Sequence, residues 1–269
     1  MKGRVLIIAG SDSGGGAGIQ ADIKAVTALG GFAMTAITAL TAQNTLGVHG
    51  VAGVPIDFIR QQIAVVLDDL GADALKTGML HDVPVIEAVC EEIAARAKGV
   101  PLVADPVMVA KGGHPLLAPD AVDTLKARLL PLATVITPNL PEAEVLVGRP
   151  IRDVPGMREA AAALRGLGVP AVLLKGGHLE GDVVTDLLVT ADGAEEFVSP
   201  RIPTRHTHGT GCTLASAIAT GLAQGMSLRD AVVRARAYVR AAIAAAPGYG
   251  AGHGPLDHGV TVDPSRIAG

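Results

Sequence analysis

Two kinds of segment alternate along this chain, and that alternation constrains the fold more than anything else in the sequence. Short, mostly apolar runs (Val5–Ala9, Phe32–Leu40, Asp73–Met79, Pro101–Val107, Thr134–Thr137 and Ala171–Leu174) are separated by stretches whose apolar residues recur at helical spacing. These stretches are Ile19–Leu29, Pro55–Leu70, Val83–Ala97, Pro119–Leu130, Glu142–Val147 and Pro155–Leu167. A strand without a polar face must be covered on both sides, and strands joined through helices run parallel. The expectation is an α/β fold with a mostly parallel central sheet and helices on both faces. Val183–Val189 and Glu195–Pro200 break the rhythm: Ala191-Asp192-Gly193 between them makes a hairpin. Two further helices follow, the second from Ser227 to Ala245 with Ser227 as N-cap.

No repeat or linker divides the 269 residues, so one domain spanning 1–269 is expected. Hydrophobic residues make up 49% and aromatics only 2%, so the core must be built from Ala, Val, Leu and Ile. A net charge of −4 gives no electrostatic reason to expect nucleic acid or a membrane surface as partner; a small soluble ligand is simpler. Cys90 and Cys212 lie far apart without metal or redox spacing, which fits a reducing compartment. The first apolar run is too short for a signal peptide and none reaches membrane-spanning length, so a cytoplasmic protein is expected.

Polar residues and glycines gather just after the strands: Ser11-Asp12, Gln43-Asn44, Gly78-Met79, Asp105, Asn139 and Lys175. In open parallel sheets ligands bind beyond the carboxyl ends of the strands, where these residues can meet. Late in the chain, Thr207 to Gly225 reads as a glycine turn feeding a helix. Gly209 and Gly211 allow backbone angles that other residues resist, Thr210 and Thr213 supply hydroxyls, and the helix's first N–H groups lack intrahelical partners. With the helix dipole, such a mouth favours an anion, above all a phosphoryl group. Cys212 stands in the first turn, where a thiol's pKa should fall, although an unpaired cysteine is also a small buried hydrophobe.

The chain has no Walker-type loop, and Gly10–Gly18 lacks a clean G-x-G-x-x-G. Lys175, before two glycines, suits nucleotide phosphates as well as it suits a solvated turn. Asp105, Asn139 and Glu142 carry oxygens of the type that hold Mg²⁺ directly or through water; strand-end and helix-start roles suit them too. Met79 and Val107 are core residues or the walls of a pocket for a flat ring. His49, His81, His114 and His206 show no metal spacing, His208 shapes its loop, His253 is structural, and Cys90 packs.

Taken in order, G-S-D-S-G-G-G-A-G-I-Q-A-D-I-K, I-T-A-L-T-A-Q-N-T, K-T-G-M-L, D-P-V-M-V-A-K-G-G, I-T-P-N-L-P-E-A-E, L-L-K-G-G-H and T-H-G-T-G-C-T resemble the hydroxymethylpyrimidine/phosphomethylpyrimidine kinases of thiamin biosynthesis, in the ribokinase superfamily. The resemblance implies a ribokinase-like fold, a homodimer, and phosphorylation of 4-amino-5-hydroxymethyl-2-methylpyrimidine and then its monophosphate with ATP and Mg²⁺. It places Gln43 on the aminopyrimidine with Asp22, Met79 and Val107 nearby. Lys175 and Thr210 become phosphate ligands, and Asp105, Asn139 and Glu142 the magnesium and nucleotide-phosphate neighbourhood. Gly209, Gly211 and Cys212 become the anion hole, with Cys212 where the wider superfamily has an aspartate base. The glycine pairs Gly112-Gly113 and Gly176-Gly177 are candidates for closure over substrates.

Two alternatives remain. A pyridoxal or pyridoxine kinase of the same superfamily acts on a similar hydroxymethyl-bearing ring, against which Gln43 favours the aminopyrimidine. A vitamin-binding regulator without catalysis is the reading from another class.

Overall fold

The computed structural model describes residues 2–110, 113–263 and 265; Lys111 and Gly112 of the expected closing loop lie outside the described residues. Its centre is an eight-stranded sheet. The strands are β1 (Arg4–Ala9), β2 (Phe32–Ile37), β5 (Ala74–Thr77), β6 (Leu102–Ala104), β7 (Val135–Ile136), β8 (Val172–Leu174), β9 (Val183–Thr190) and β10 (Gly193–Pro200). Their order is β10-β9-β8-β7-β6-β5-β1-β2, parallel from β8 to β2, with β9 and β10 added as an antiparallel hairpin.

Alternation along β1 shows how the two layers arise. Leu6 and Ile8 pack with α2 (Ile56–Asp69), α3 (Val83–Arg96), α5 (Leu140–Val147) and α6 (Val154–Arg165). Val5, Ile7 and Ala9 face the opposite layer, formed by α1 (Gly18–Ala28), α7 (Thr210–Ala223) and α8 (Leu228–Ala244). Every residue of β1 after Arg4 is buried, as a strand without a polar face requires. Ser227 caps α8 through the Asp230 amide.

The structure departs from sequence expectation in two places. The run from Phe32 to Leu40 is two strands: Thr38 binds the Ala9 and Met79 carbonyls, and the chain then leaves the main sheet. It forms a separate hairpin of β3 (Ala39–Asn44) and β4 (Gly47–Gly53), which glycine and polar residues concealed. The helix expected over Pro119–Leu130 is broken into α4 (Ala121–Thr124), one π-helical turn (Leu125–Leu129) and a short 3₁₀ turn containing Pro131.

β1 sits where the winding reverses, because β2 lies on one side of it and β5 on the other. Such a switch point leaves a crevice at the carboxyl ends of the strands. Among the described residues, no helix is long and apolar enough to cross a membrane.

Candidate active site

A cavity of about 960 Å³ occupies that crevice. Its lining takes residues from the end of every strand the sequence marked: Gly10–Asp12, Gln43, Gly78-Met79, Asp105, Asn139 and Lys175, with Thr207–Cys212 across from them. Val107 and Glu142 line it as well. Asp22 does not. It lies beneath the floor with no exposed area, bonded to Lys76 Nζ at 2.8 and 2.9 Å and to Ser216 Oγ at 2.7 Å. Asp22 therefore stands one residue back from the cavity surface: both its oxygens are engaged, and it reaches the cavity through Lys76, which lines it.

The first glycine loop is built around Asp12. Its carboxylate accepts from the amides of Gly14, Gly16 and Ala17 at 2.8, 3.2 and 2.8 Å and from His208 Nε2 at 2.8 Å. Burial alone would raise the Asp12 pKa, yet these bonds outweigh it and hold the group below the usual range. The loop thereby becomes a rigid wall that reaches the second junction. There Gly209 has φ +80°, and a Cβ on it would fall 1.8 Å from the Gly16 carbonyl oxygen, so no other residue fits. Gly211 is different: it lies inside α7 without a positive φ, and what it provides is space.

α7 opens on the cavity without a side-chain cap; its first amide, of Thr210, turns back to the Thr207 carbonyl at 3.4 Å, and the next amides of a helix's first turn have no intrahelical partner. Thr210 and Cys212 line the same mouth, and a Cβ at Gly211 would stand 3.1 Å from Lys175 Nζ and 3.6 Å from Asp105 Oδ2. The mouth, the lysine and the carboxylate thus meet within a few ångströms. Lys175 is positioned by its backbone pairing with Asn139 and by a 3.1 Å ion pair to Asp105. Burial would lower its pKa, but the Asp105 and Glu142 carboxylates prevail and raise it, so the ammonium form persists.

Asn139 and Glu142 form the capping box of α5. Burial pushes Glu142 up to about 7 despite nearby Lys175 and bonds from the Asn139 and Met108 amides. Among the described residues no cluster of three or more His, Cys, Asp or Glu side chains is arranged to hold a metal. Asp105 and Glu142 therefore make no closed cage. They suit a cation held mainly by phosphate and water, as magnesium commonly is beside a nucleotide.

Cys212 overturns one expectation. The helix start was expected to depress its pKa; burial instead pushes the thiol up to about 12, even with Lys76 nearby and the Gly18 amide directed at it. Desolvation of the thiolate exceeds what one turn of helix dipole supplies. Sequence reasoning also missed Lys76, a charge hidden in an apolar strand, and the reach of His208, which bonds a residue 196 positions away. The far end of the cavity, from Ser199 to Arg205 with Arg236 and Arg240, gave no motif. Cys90, by contrast, packs in α3 as expected.

Comparison with known proteins agrees with this geometry. Residues 12–257 match the family model described as phosphomethylpyrimidine kinase. Over 257 residues the chain is 51% identical to the hydroxymethylpyrimidine/phosphomethylpyrimidine kinase of Streptomyces coelicolor, covering 95% of this chain and 94% of that one. It is 52% identical to the thiamine biosynthesis bifunctional protein ThiED of Geobacter sulfurreducens, covering 96% of this chain but spanning about half (52%) of that relative. The crystal structure of an ADP complex of Bacillus subtilis pyridoxal kinase superposes with a TM-score of 0.90 at 38% identity, covering 99% of this chain and 100% of that one. With a ribokinase-like sheet, this cavity and a family match along most of its length, the chain belongs to the phosphomethylpyrimidine kinase family.

Proposed function

We propose that this protein transfers the γ-phosphoryl group of ATP to the hydroxymethyl oxygen of 4-amino-5-hydroxymethyl-2-methylpyrimidine and, in a second turnover, to the phosphate of the product. The observation that carries this is the meeting of the uncapped α7 mouth, Lys175 and Asp105 in one cavity with Gln43. In each turnover a bond forms from the acceptor oxygen to the γ-phosphorus and the bridging bond to ADP breaks; the hydroxymethyl proton is lost in the first, whereas the phosphate acceptor of the second is already largely deprotonated at neutral pH. Phosphoryl transfer depends chiefly on positioning and charge stabilisation. The amides of Gly211 and Cys212 with Lys175 neutralise the migrating charge, and Thr210 and Asn139 bind nucleotide phosphate; Asp105 and Glu142 are the residues that would hold Mg²⁺, which would supply further charge neutralisation on the phosphates. Gln43 reads the ring between Met79 and Val107.

Cys212 is the proton acceptor in this scheme. Because its thiol is the resting form at neutral pH, the thiolate that accepts the proton is a minor species. A homodimer acting in the cytoplasm as a single domain is part of the same proposal. Release of ADP that depends on the pyrimidine tests it: no pyrimidine-dependent ADP rejects the kinase and leaves a binding protein. The likeness to pyridoxal kinase gives a second reading the same assay decides, since pyridoxal preferred over the aminopyrimidine replaces the substrate.

A further inference from the structure

Where β8 ends, a side chain of the neighbouring strand takes over from the sheet. β8 and β9 pair as Val172–Val189, Leu173–Leu188 and Leu174–Leu187, a register that would next set Lys175 against Asp186. The ladder stops there instead. Lys175 turns its amide to the Pro138 carbonyl on its other side at 2.9 Å, and the following amide, of Gly176, donates to Asp186 Oδ1 at 3.0 Å. The second carboxylate oxygen accepts from Arg236 Nε of α8 at 2.8 Å. The approach is close: a Cβ on Gly176 would fall 1.9 Å from the Thr185 carbonyl oxygen of β9. The loop beyond has its own holder, because Arg201 donates to the carbonyls of Gly177, Leu179 and Gly181.

We propose that Asp186 is a positioning residue for Lys175, acting through the Gly176 amide. This rests on the proposed function, in which Lys175 meets the phosphates. The Asp186 carboxylate does not hold the ammonium, which bonds Asp105; it fixes the backbone one residue further on. A lysine carries its charge on a flexible four-carbon stem, so the ammonium reaches one point only if the Cα beneath it is fixed. Here that Cα lies between two anchored amides. The Pro138 carbonyl would hold any residue that has an amide, whereas the Asp186 anchor exists only because a carboxylate stands in the mostly apolar run V-V-T-D-L-L-V. Arg236 offsets the cost of keeping that carboxylate at 13% exposure. The guanidinium is tied in turn to the Phe197 carbonyl and the Ser199 hydroxyl of β10, so the anchor is braced by the hairpin.

The test is a cycle between Asp186 and Lys175, read as kcat/KM for ATP and as Kd for the non-hydrolysable analogue AMP-PCP. Asp186→Leu should lose about tenfold in both, with the KM for the pyrimidine within about twofold. In the Lys175→Met background the same substitution should change either by no more than about twofold, because no ammonium is left to misplace. Asp186→Asn should recover most of the loss, since its Oδ1 still accepts from Gly176. It neutralises Arg236 no better than leucine does, so a loss caused by a freed Arg236 charge would persist in it. Equal losses with and without the lysine, or an asparagine variant as impaired as the leucine one, make Asp186 a purely structural residue and overturn the proposal. Should the leucine variant not fold, hydrogen exchange at the Gly176 amide decides: protection in wild type and in Asp186→Asn supports the anchor, and exchange at the rate of an open amide in wild type refutes it. Wild type that binds AMP-PCP yet leaves the pyrimidine unphosphorylated defeats the functional reading instead, and the Kd cycle still tests Asp186.

Discussion

Two lysine–aspartate pairs sit side by side at the carboxyl end of the sheet, and they differ in one respect. Lys76 in β5 and Asp22 in α1 have no exposed side-chain area, while Lys175 after β8 keeps 14% and Asp105 keeps 2%. In the sealed pair, both carboxylate oxygens hold the ammonium and Ser216 of α7 adds a third bond. In the open pair, Lys175 binds one oxygen of Asp105 and faces the cavity. A charge enclosed by its counter-charge fixes the floor under α7. The same chemistry left partly unsatisfied has capacity for a phosphate.

Breaking the sealed pair should give the largest effect. Lys76→Met leaves a buried carboxylate alone, so stability should fall by about 3–5 kcal/mol in urea unfolding, whereas Lys76→Met combined with Asp22→Leu should recover most of it. If the single variant instead unfolds normally but loses turnover, Lys76 belongs to the chemistry and the contrast fails. Lys175→Met should do the reverse. It removes a cation aimed at the migrating charge, so kcat/KM for ATP should drop about a hundredfold or more, while stability should fall less than in Lys76→Met, because Asp105 borders the cavity and keeps its bond from Thr137. Unchanged ATP kinetics would place Lys175 outside the site.

The distinction between the two pairs was only half legible in the sequence. Lys175 announces itself, because a lysine at a strand end before two glycines has nothing apolar to hide in. Lys76 lies in the apolar run A-L-K-T-G-M, and Asp22 in the unremarkable helix A-D-I-K; only folding brings them within 3 Å. The sheet was legible for a general reason: a strand covered on both faces must be apolar at every position, and that pattern survives in sequence. The β3–β4 hairpin was not, because its half-exposed strands are rich in glycine and polar residues, and what holds them is Ser11 and Ser13 of a distant loop, bonded to Thr41 and Gln43 of β3. The Cys212 pKa was misjudged for a related reason. A helix start is visible in sequence, but the depth at which it is buried is not.

Cys212 gives the next smaller effect. With its pKa raised to about 12, the thiolate fraction grows about tenfold per pH unit anywhere below that value. If thiolate takes the proton, kcat should climb with pH through the neutral range without a plateau. Cys212→Ala should flatten that climb and lower turnover by about a hundredfold, near the low end for a general base, with ATP affinity little changed. A flat profile in the wild type assigns the proton to another acceptor.

Gly211→Ala should give the smallest effect and probes the open pair most finely. Alanine is the better helix former by about 1 kcal/mol, so the variant should be no less stable than wild type. Its Cβ would arrive 3.1 Å from Lys175 Nζ, the mobile end of a long side chain that can move aside. A few-fold rise in the KM for ATP is expected as the lysine is displaced from the α7 mouth. The sharper measurement repeats the substitution in Lys175→Met, where no lysine remains to be displaced and Gly211→Ala should add almost nothing. A large extra loss in that background would mean the methyl group obstructs the phosphate itself, and that the bare backbone at Gly211, more than the open lysine, holds the anion.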